Sequence, residues 1–154
     1  MSTGPQFGAP VEGRSHRDRP AVFGLLEDTG SLAFVRISLA DGTPPFIDLP
    51  GGAIDPGETP EAALVREFAE ETGLCVEARA TFAHASQFFV TSKGEAVNNH
   101  CTFMRVRSAR GVAAKIEDDH ELIWLDPRQA IEGLRHDAHA WGVAAWIRSS
   151  LSQA

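Results

Sequence analysis

The run Gly52-Ala53-Ile54-Asp55-Pro56-Gly57-Glu58-Thr59-Pro60-Glu61-Ala62-Ala63-Leu64-Val65-Arg66-Glu67-Phe68-Ala69-Glu70-Glu71-Thr72-Gly73-Leu74 constrains this chain more than any other stretch. Thr59 is a good helix N-cap, and Pro60 suits the first helical position, where its missing N–H would be unpaired anyway. Gly73 is a natural stop in the left-handed conformation. The spacing therefore predicts a helix over residues 60–72. At about 100° per residue, Glu67, Glu70 and Glu71 stand at i, i+3 and i+4 and share one face. The same periodicity puts Val65, Ala69 and Ala62 on the opposite side, toward a core, with Leu64 and Phe68 flanking. Like charges at these spacings cost a helix a few tenths of a kcal/mol per pair. Converging carboxylates make sense around a hard cation, Mg²⁺ or Mn²⁺, which takes oxygen ligands and phosphate oxygens. The preceding loop, Pro50-Gly51-Gly52, has glycines where a ligand would approach the main chain closely.

These residues carry a family resemblance. The stretch resembles the Nudix box, G-x5-E-x7-R-E-U-x-E-E-x-G-U with U a bulky apolar residue. All nine specified positions match: Gly52, Glu58, Arg66, Glu67, Phe68, Glu70, Glu71, Gly73 and Leu74. The resemblance implies an α/β/α sandwich with a mixed β-sheet. It also implies a metal-dependent hydrolase in which water attacks phosphorus and a diphosphate linkage is cleaved. Metal ligation falls to Glu67, Glu70 and Glu71, with the Gly51 carbonyl added. Glu67 is ligand or general base, and Glu70 and Arg66 stand with it as candidate catalytic residues. Arg66 is expected to orient the glutamates by charge-assisted hydrogen bonds. Gly52 and Glu58 support the site, Glu58 by bracing the loop, by joining the metal shell, or in a purely structural way.

Outside the box the implied roles are fewer. Relatives often carry a further acid in a loop before the last strand, and Glu117, Asp118, Asp119 and Glu121 are the candidates here. Arg36 occupies a place where relatives often carry a basic phosphate contact. Phe46, Phe88, Phe89, Phe103 and Trp124 are candidates for stacking on a base or for the core. His84 and His100 titrate near neutral pH when unperturbed. Some relatives that cleave ADP-ribose carry a proline after the box, and some that cleave dinucleoside polyphosphates carry a tyrosine there. This chain has Phe88 and Phe89 in that region and no tyrosine at all. A nucleoside triphosphate or similar nucleoside diphosphate derivative is therefore the expected substrate. The alternative is a catalytically silent module that binds or senses a nucleotide metabolite. Such modules usually lack a box acid, and this chain lacks none.

Composition bounds the rest. A chain of 154 residues is most simply one domain. The net charge of −7 argues against a nucleic-acid partner or a membrane surface. A phosphate substrate stays compatible with it, because a bound divalent ion inverts the local field. Cys75 and Cys101 have no zinc-type spacing and read as thiols of a reducing, cytoplasmic compartment. No apolar run approaches the roughly 20 residues of a membrane span. A homodimer is compatible with this reading. Residues 1–19, with little to bury, read as a disordered leader before a hydrolase domain over 20–154.

The remaining elements follow from apolar runs and turn residues. Residues 21–27 and 31–37 read as strands joined by Asp28-Thr29-Gly30. A short strand over 46–49 leads into the glycine loop. Residues 75–90 read as one long strand or two, turned at 92–95 into an antiparallel strand over 100–107. A last strand covers 121–125, a short helix 127–134 and a terminal helix 137–151. In the terminal helix Ala140, Ala144, Ile147 and Leu151 form a stripe, with Trp141 nearby.

Overall fold

A computed structural model describes residues 4–152. Its centre is the hairpin of β2 (Arg17–Asp28) and β3 (Ser31–Ile37). Thr29 and Gly30 have φ of 48° and 87°, so both central residues of the two-residue turn are left-handed, as a type I′ turn requires. The two strands pair only at Glu27–Leu32 and Asp28–Ser31, then fork. β2 runs parallel to β7 (Ala96–Ser108) and antiparallel to β5 (Gly51–Ala53). β3 pairs antiparallel with β4 (Phe46–Asp48) and β8 (His120–Leu125). β7 pairs antiparallel with β6 (Val76–Val90), a single long strand whose register shifts near Thr81. The result is one mixed, forked sheet of eight strands.

Strand alternation assigns each face of the sheet its own core. On β2, Ala21, Phe23 and Leu25 join Phe34, Leu49, Phe103, Val143 and Trp146 on one side. Val22 and Leu26 join Leu64, Phe68, Met104 and Val106 on the other. The second face carries α1 (Pro60–Thr72), the first carries α3 (Asp137–Leu151), preceded by the short α2 (Pro127–Ala130). This is the expected α/β/α sandwich. Gly24 sets how closely α1 lies. A Cβ there would stand 2.5 Å from Val106 Cγ2 and 2.6 Å from Phe68 Cε2.

Several local expectations are corrected. α1 begins and ends where its caps predict, but its buried residues are Ala63, Leu64, Phe68, Glu71 and Thr72. Ala62 and Val65 face solvent. The acidic face therefore adjoins the packed face instead of opposing it, and it carries Glu71 into the protein. On α3 the buried set is Ala138, His139, Gly142, Val143 and Trp146. Gly142 fits against the Phe103 ring, which rotates the helix away from the expected stripe. Of that stripe, Ile147 packs partly on the core, while Ala144 and Leu151 are exposed. The glycine loop is instead the short strand β5.

The segment read as a disordered leader gives the sheet β1 and the first residues of β2, with residues 8–16 between them outside any strand; residues 1–3 lie outside the described residues. β1 (Gln6–Phe7) runs parallel to β6. The Gln6 and Asn98 side-chain amides exchange hydrogen bonds of 2.9 and 3.1 Å. Phe7 packs against Trp141 at 6.3 Å between ring centroids. An open strand edge offers backbone donors and acceptors to any chain that reaches it, with no demand on apolar composition. Among the described residues, no helix is long and apolar enough to cross a membrane.

Candidate active site

α1 is fixed locally. Thr59 Oγ1 accepts the Ala62 N–H at 3.1 Å, and Gly73 closes the helix at φ 76°. Within this frame Arg66 is the hub. Its Nε and Nη2 donate to the two Glu58 oxygens at 2.7 and 2.9 Å. Nη1 donates to Glu67 Oε1 at 3.0 Å and to Glu70 Oε2 at 3.3 Å, and Nη2 reaches the Ala53 carbonyl at 3.2 Å. Glu58 also accepts the Asp55 N–H at 3.0 Å. The Arg66 bonds, then that N–H, hold its carboxyl down at about 2. Both Glu58 oxygens are committed, which is a bracing arrangement.

Glu71 is the buried member of the acidic face. Its Oε1 accepts the Gly51 N–H at 2.9 Å, and its Oε2 lies 2.9 Å from His120 Nε2. Burial pushes Glu71 up, and His120 and the Gly51 N–H oppose it. Burial works against charge on His120 too, but Glu71 and Asp119, the latter 2.8 Å from Nδ1, outweigh it and carry His120 up to about 9. The contact geometry favours an imidazolium–carboxylate pair. Glu67 is raised to about 7, first by burial and then by Glu71. Gly52 leaves room for it, since a Cβ there would stand 2.8 Å from the Glu67 carboxyl carbon. At Gly51, φ is 143° and a Cβ would strike the Val22 carbonyl at 2.1 Å. Only glycine fits at Gly51, while a side chain at Gly52 would displace the Glu67 carboxylate.

This donor set suits a hard divalent cation. Glu67, Glu70, Glu71 and the Gly51 carbonyl offer only oxygen. Burial raises both Glu67 and Glu71, and the Glu71 charge adds to the elevation of Glu67, so this face is one that a positive charge would stabilise.

The other sequence candidates divide. Ile116 and Glu117 N–H both donate to the Glu70 carbonyl at 2.9 Å, which staples the loop before β8 onto α1. Glu117, Asp119 and His120 gather there, with ligand-type atoms within 4.8 Å of one another. Asp118 is exposed outside that group, and Glu121 pairs with Arg36 at 3.6 Å. Arg36 points to the exposed side of β3 and is not among the cleft residues; its neighbour Ile37 is. Phe46 and Phe89 reach the cleft, whereas Phe103 is core. Phe88 sits edge-on to His16, and Trp124 is exposed on β8. His84 and His100 lie in a separate groove, with His100 bonded to Ser86 and Asp18.

A cleft of about 260 Å³ opens between the two branches of the sheet. Gly51, Gly52, Glu71, Asp119 and His120 form its acidic edge. Its opposite wall is aromatic and cationic. Arg135 lies 3.9 Å over the Phe46 ring and 5.8 Å from Phe89, while Arg19 lies 5.4 Å from Phe89. Asp48 holds Arg135 through Nε at 3.2 Å and through Nη2, and Arg19 Nε donates to Asn99 at 2.7 Å. His136 and His139 complete the wall. Sequence reasoning missed His120, Arg19, Asp48, Asn99, Arg135, His136 and His139. No spacing links them, and one signal was legible only for His120, which sits inside the acidic run before β8.

A forked α/β/α sandwich with an arginine-braced acidic helix at the edge of a cleft is the architecture of the Nudix hydrolases. The NUDIX domain model matches residues 16–147, and the chain belongs to that family. A Bacillus subtilis (strain 168) protein described as "Putative 8-oxo-dGTP diphosphatase" is 66% identical over 29 residues, which is 19% of this chain and 20% of that protein. Among solved structures, a MutT protein from Methanosarcina mazei Go1 aligns at TM-score 0.66 and 18% identity, over 90% of this chain and 99% of that one. A NUDIX hydrolase from Nitrosomonas europaea aligns at TM-score 0.66 and 18% identity, over 86% and 90%. The E. coli ORF135 protein aligns at TM-score 0.62 and 20% identity, over 86% and 91%. These structural likenesses share the fold.

Proposed function

We propose that the protein is a divalent-metal-dependent pyrophosphohydrolase that cleaves the diphosphate linkage of a nucleoside triphosphate or a similar nucleoside diphosphate derivative. The observation that carries this reading is the cleft itself, with an acidic edge and a cationic aromatic wall in one cavity. Glu67, Glu70, Glu71 and the Gly51 carbonyl would hold Mg²⁺ or Mn²⁺. When bound, the ion neutralises phosphate oxygens and acidifies water. Arg66 fixes the carboxylates so that no reorganisation is needed during reaction. Glu67 has one oxygen on Arg66, and the other, without a hydrogen-bond partner among the described residues, serves either as a ligand of the ion or as the base for the attacking water. The new P–O bond forms as the bridging P–O bond breaks, and its electron pair leaves on the bridging oxygen. Arg19 and Arg135 offer positive charge and stacking surface to the rest of the substrate. The printed description of the Bacillus subtilis relative brings 8-oxo-dGTP into the set to be assayed. The test is a screen of nucleoside triphosphates and nucleoside diphosphate derivatives with Mg²⁺ and with Mn²⁺, reading phosphate after a coupled phosphatase. Turnover that vanishes in chelator supports the reading; no turnover on any of them defeats it.

A further inference from the structure

The cleft holds two arginines, and they differ in how their charge is balanced. Arg135 is neutralised: its Nε donates to one Asp48 oxygen at 3.2 Å and its Nη2 to the other, and its guanidinium lies over the Phe46 ring. Arg19 is half-buried on β2 and forms no ion pair among the described residues. Opposite charge reaches it only from a distance, from Glu95 and Glu67. Both of those are spent elsewhere, Glu95 on Arg17 at 2.5 Å and Glu67 on Arg66 at 3.0 Å. Burial, then the like charge of Arg17, pull the Arg19 guanidinium below its ordinary pKa. A partly buried cation with no counter-charge is costly, and an anion in the same cavity relieves it.

The bond that Arg19 does make fixes what remains free. Its Nε donates to Asn99 Oδ1 at 2.7 Å, and its guanidinium stands 5.4 Å from the Phe89 ring. Both terminal nitrogens of Arg19 and the Asn99 amide nitrogen are then left without a protein partner among the described residues. None of the three is sealed from solvent, since the one side-chain nitrogen or oxygen that is both buried and unpartnered there is His136 Nε2. Arginine keeps its protons at any working pH, and a primary amide keeps both of its own, so three donors stand together in the cleft. The free edge of a planar guanidinium matches two phosphoryl oxygens at once.

We propose that Arg19, steadied by Asn99, is the residue that grips the substrate's diphosphate from the side away from the acidic edge, its two Nη atoms donating to phosphoryl oxygens. This rests on the reading of the cleft as a pyrophosphohydrolase site, and it adds which arginine recognises phosphate. Arg135 has its charge taken by Asp48, and Arg36 lies outside the cleft, paired with Glu121.

Inorganic pyrophosphate isolates this contact, because it has no base to stack. It is titrated in chelator, without metal, by calorimetry and into ¹⁵N-arginine-labelled protein. The wild type is expected to bind it with a shift of the Arg19 Nε resonance. Arg19→Gln should bind about tenfold more weakly, roughly 1.4 kcal/mol. Arg19→Lys, which keeps the charge without the fork, should recover part of that loss. Arg36→Gln removes the same charge outside the cleft and should bind like the wild type. The proposal is overturned by a wild type that does not bind, by an Arg19 resonance indifferent to pyrophosphate, or by undiminished binding in Arg19→Gln. It is overturned equally if Arg36→Gln loses as much as Arg19→Gln, which would make the effect one of net charge. The wild-type resonance decides the matter even where a variant does not fold. Failure of the hydrolase reading would appear separately, as absent phosphate release from nucleotides by a protein that still binds pyrophosphate.

Discussion

Arg66 commits all three guanidinium nitrogens to carboxylates of its own helix and the preceding loop, which makes it a positioning residue whose shape matters as much as its charge. Lysine keeps the charge but not the planar fork. Arg66→Lys is expected to lose at least tenfold in kcat/KM while the circular dichroism spectrum is retained; an unchanged rate would reduce Arg66 to a surface cation. Glu70→Gln and Glu71→Gln remove charge without changing shape. Each should lower turnover by roughly a hundredfold or more, the scale seen when a preorganised electrostatic partner is lost. Near-normal rates in both would contradict the metal assignment. The residue scale also shows why Glu71 stood out less in sequence than in space. Its spacing identifies a shared face, but only the tertiary contact with Gly51 and His120 shows it to be the member buried in the protein.

At the scale of elements, legibility tracks how local the determinants are. α1 is readable to the residue because Thr59, Pro60 and Gly73 act within one turn of its ends. β5 is not, because its partner β2 lies about 30 residues away and glycines carry no strand propensity. The packed face of α1 is set by Gly24 on β2, which periodicity within the helix cannot see. Gly24→Ala should therefore destabilise the protein by about 1–3 kcal/mol through overpacking against Val106 and Phe68, measured as a shift in the urea midpoint. No shift would mean that α1 slides freely over the sheet. The acids crowded on α1 give a second expectation. Mg²⁺ or Mn²⁺ with a non-hydrolysable nucleotide should raise Tm, by the equivalent of about 2.7 kcal/mol at a hundredfold excess over Kd. The rise should shrink in Glu71→Gln. A melting curve indifferent to metal and nucleotide together would leave the acidic face a solvated one.

For the whole molecule, the buried histidines couple stability to pH. His139, like His136, is pressed down to about 3, by burial first and then by Arg135. Their folded values lie below the unfolded 6.5, so the unfolded chain takes up protons first as pH falls. Each contribution is complete above about pH 6.5 and erodes toward pH 3, by up to roughly 1.4 kcal/mol per pH unit. Glu67 acts in the opposite sense. Raised to about 7, its contribution is complete below its unfolded 4.5 and is lost as pH rises to 7. The two effects oppose each other between 4.5 and 6.5, so the test is a difference: the stability gap between wild type and His136→Phe should close as pH drops from 6.5 to 4. A constant gap would mean that His136 takes up its proton in the folded protein. None of this was visible in sequence, because a histidine at the start of a helix, or one within its first turn, gives no sign of what will cover it. The strand runs, the two hairpin pairings and both helix layers were visible, since they follow from apolar runs and turn residues, whereas the sheet order and the parallel pairing of β2 with β7 join segments far apart in the chain.

The Arg66 network has a consequence for how such a protein can diverge. Every group it ties together lies between residues 53 and 70, so the bracing of the acidic helix is a cassette, assembled by its own short stretch of chain. The facing wall is gathered from residues 19, 46, 48, 89, 99, 135 and 136, contributed by four separate strands and the turn before α3. Substitutions there can change which molecule is admitted without touching the cassette, whereas no single substitution outside 53–70 rebuilds the cassette once it is broken. The bracing is thus inherited as one unit, and selectivity can be retuned one position at a time.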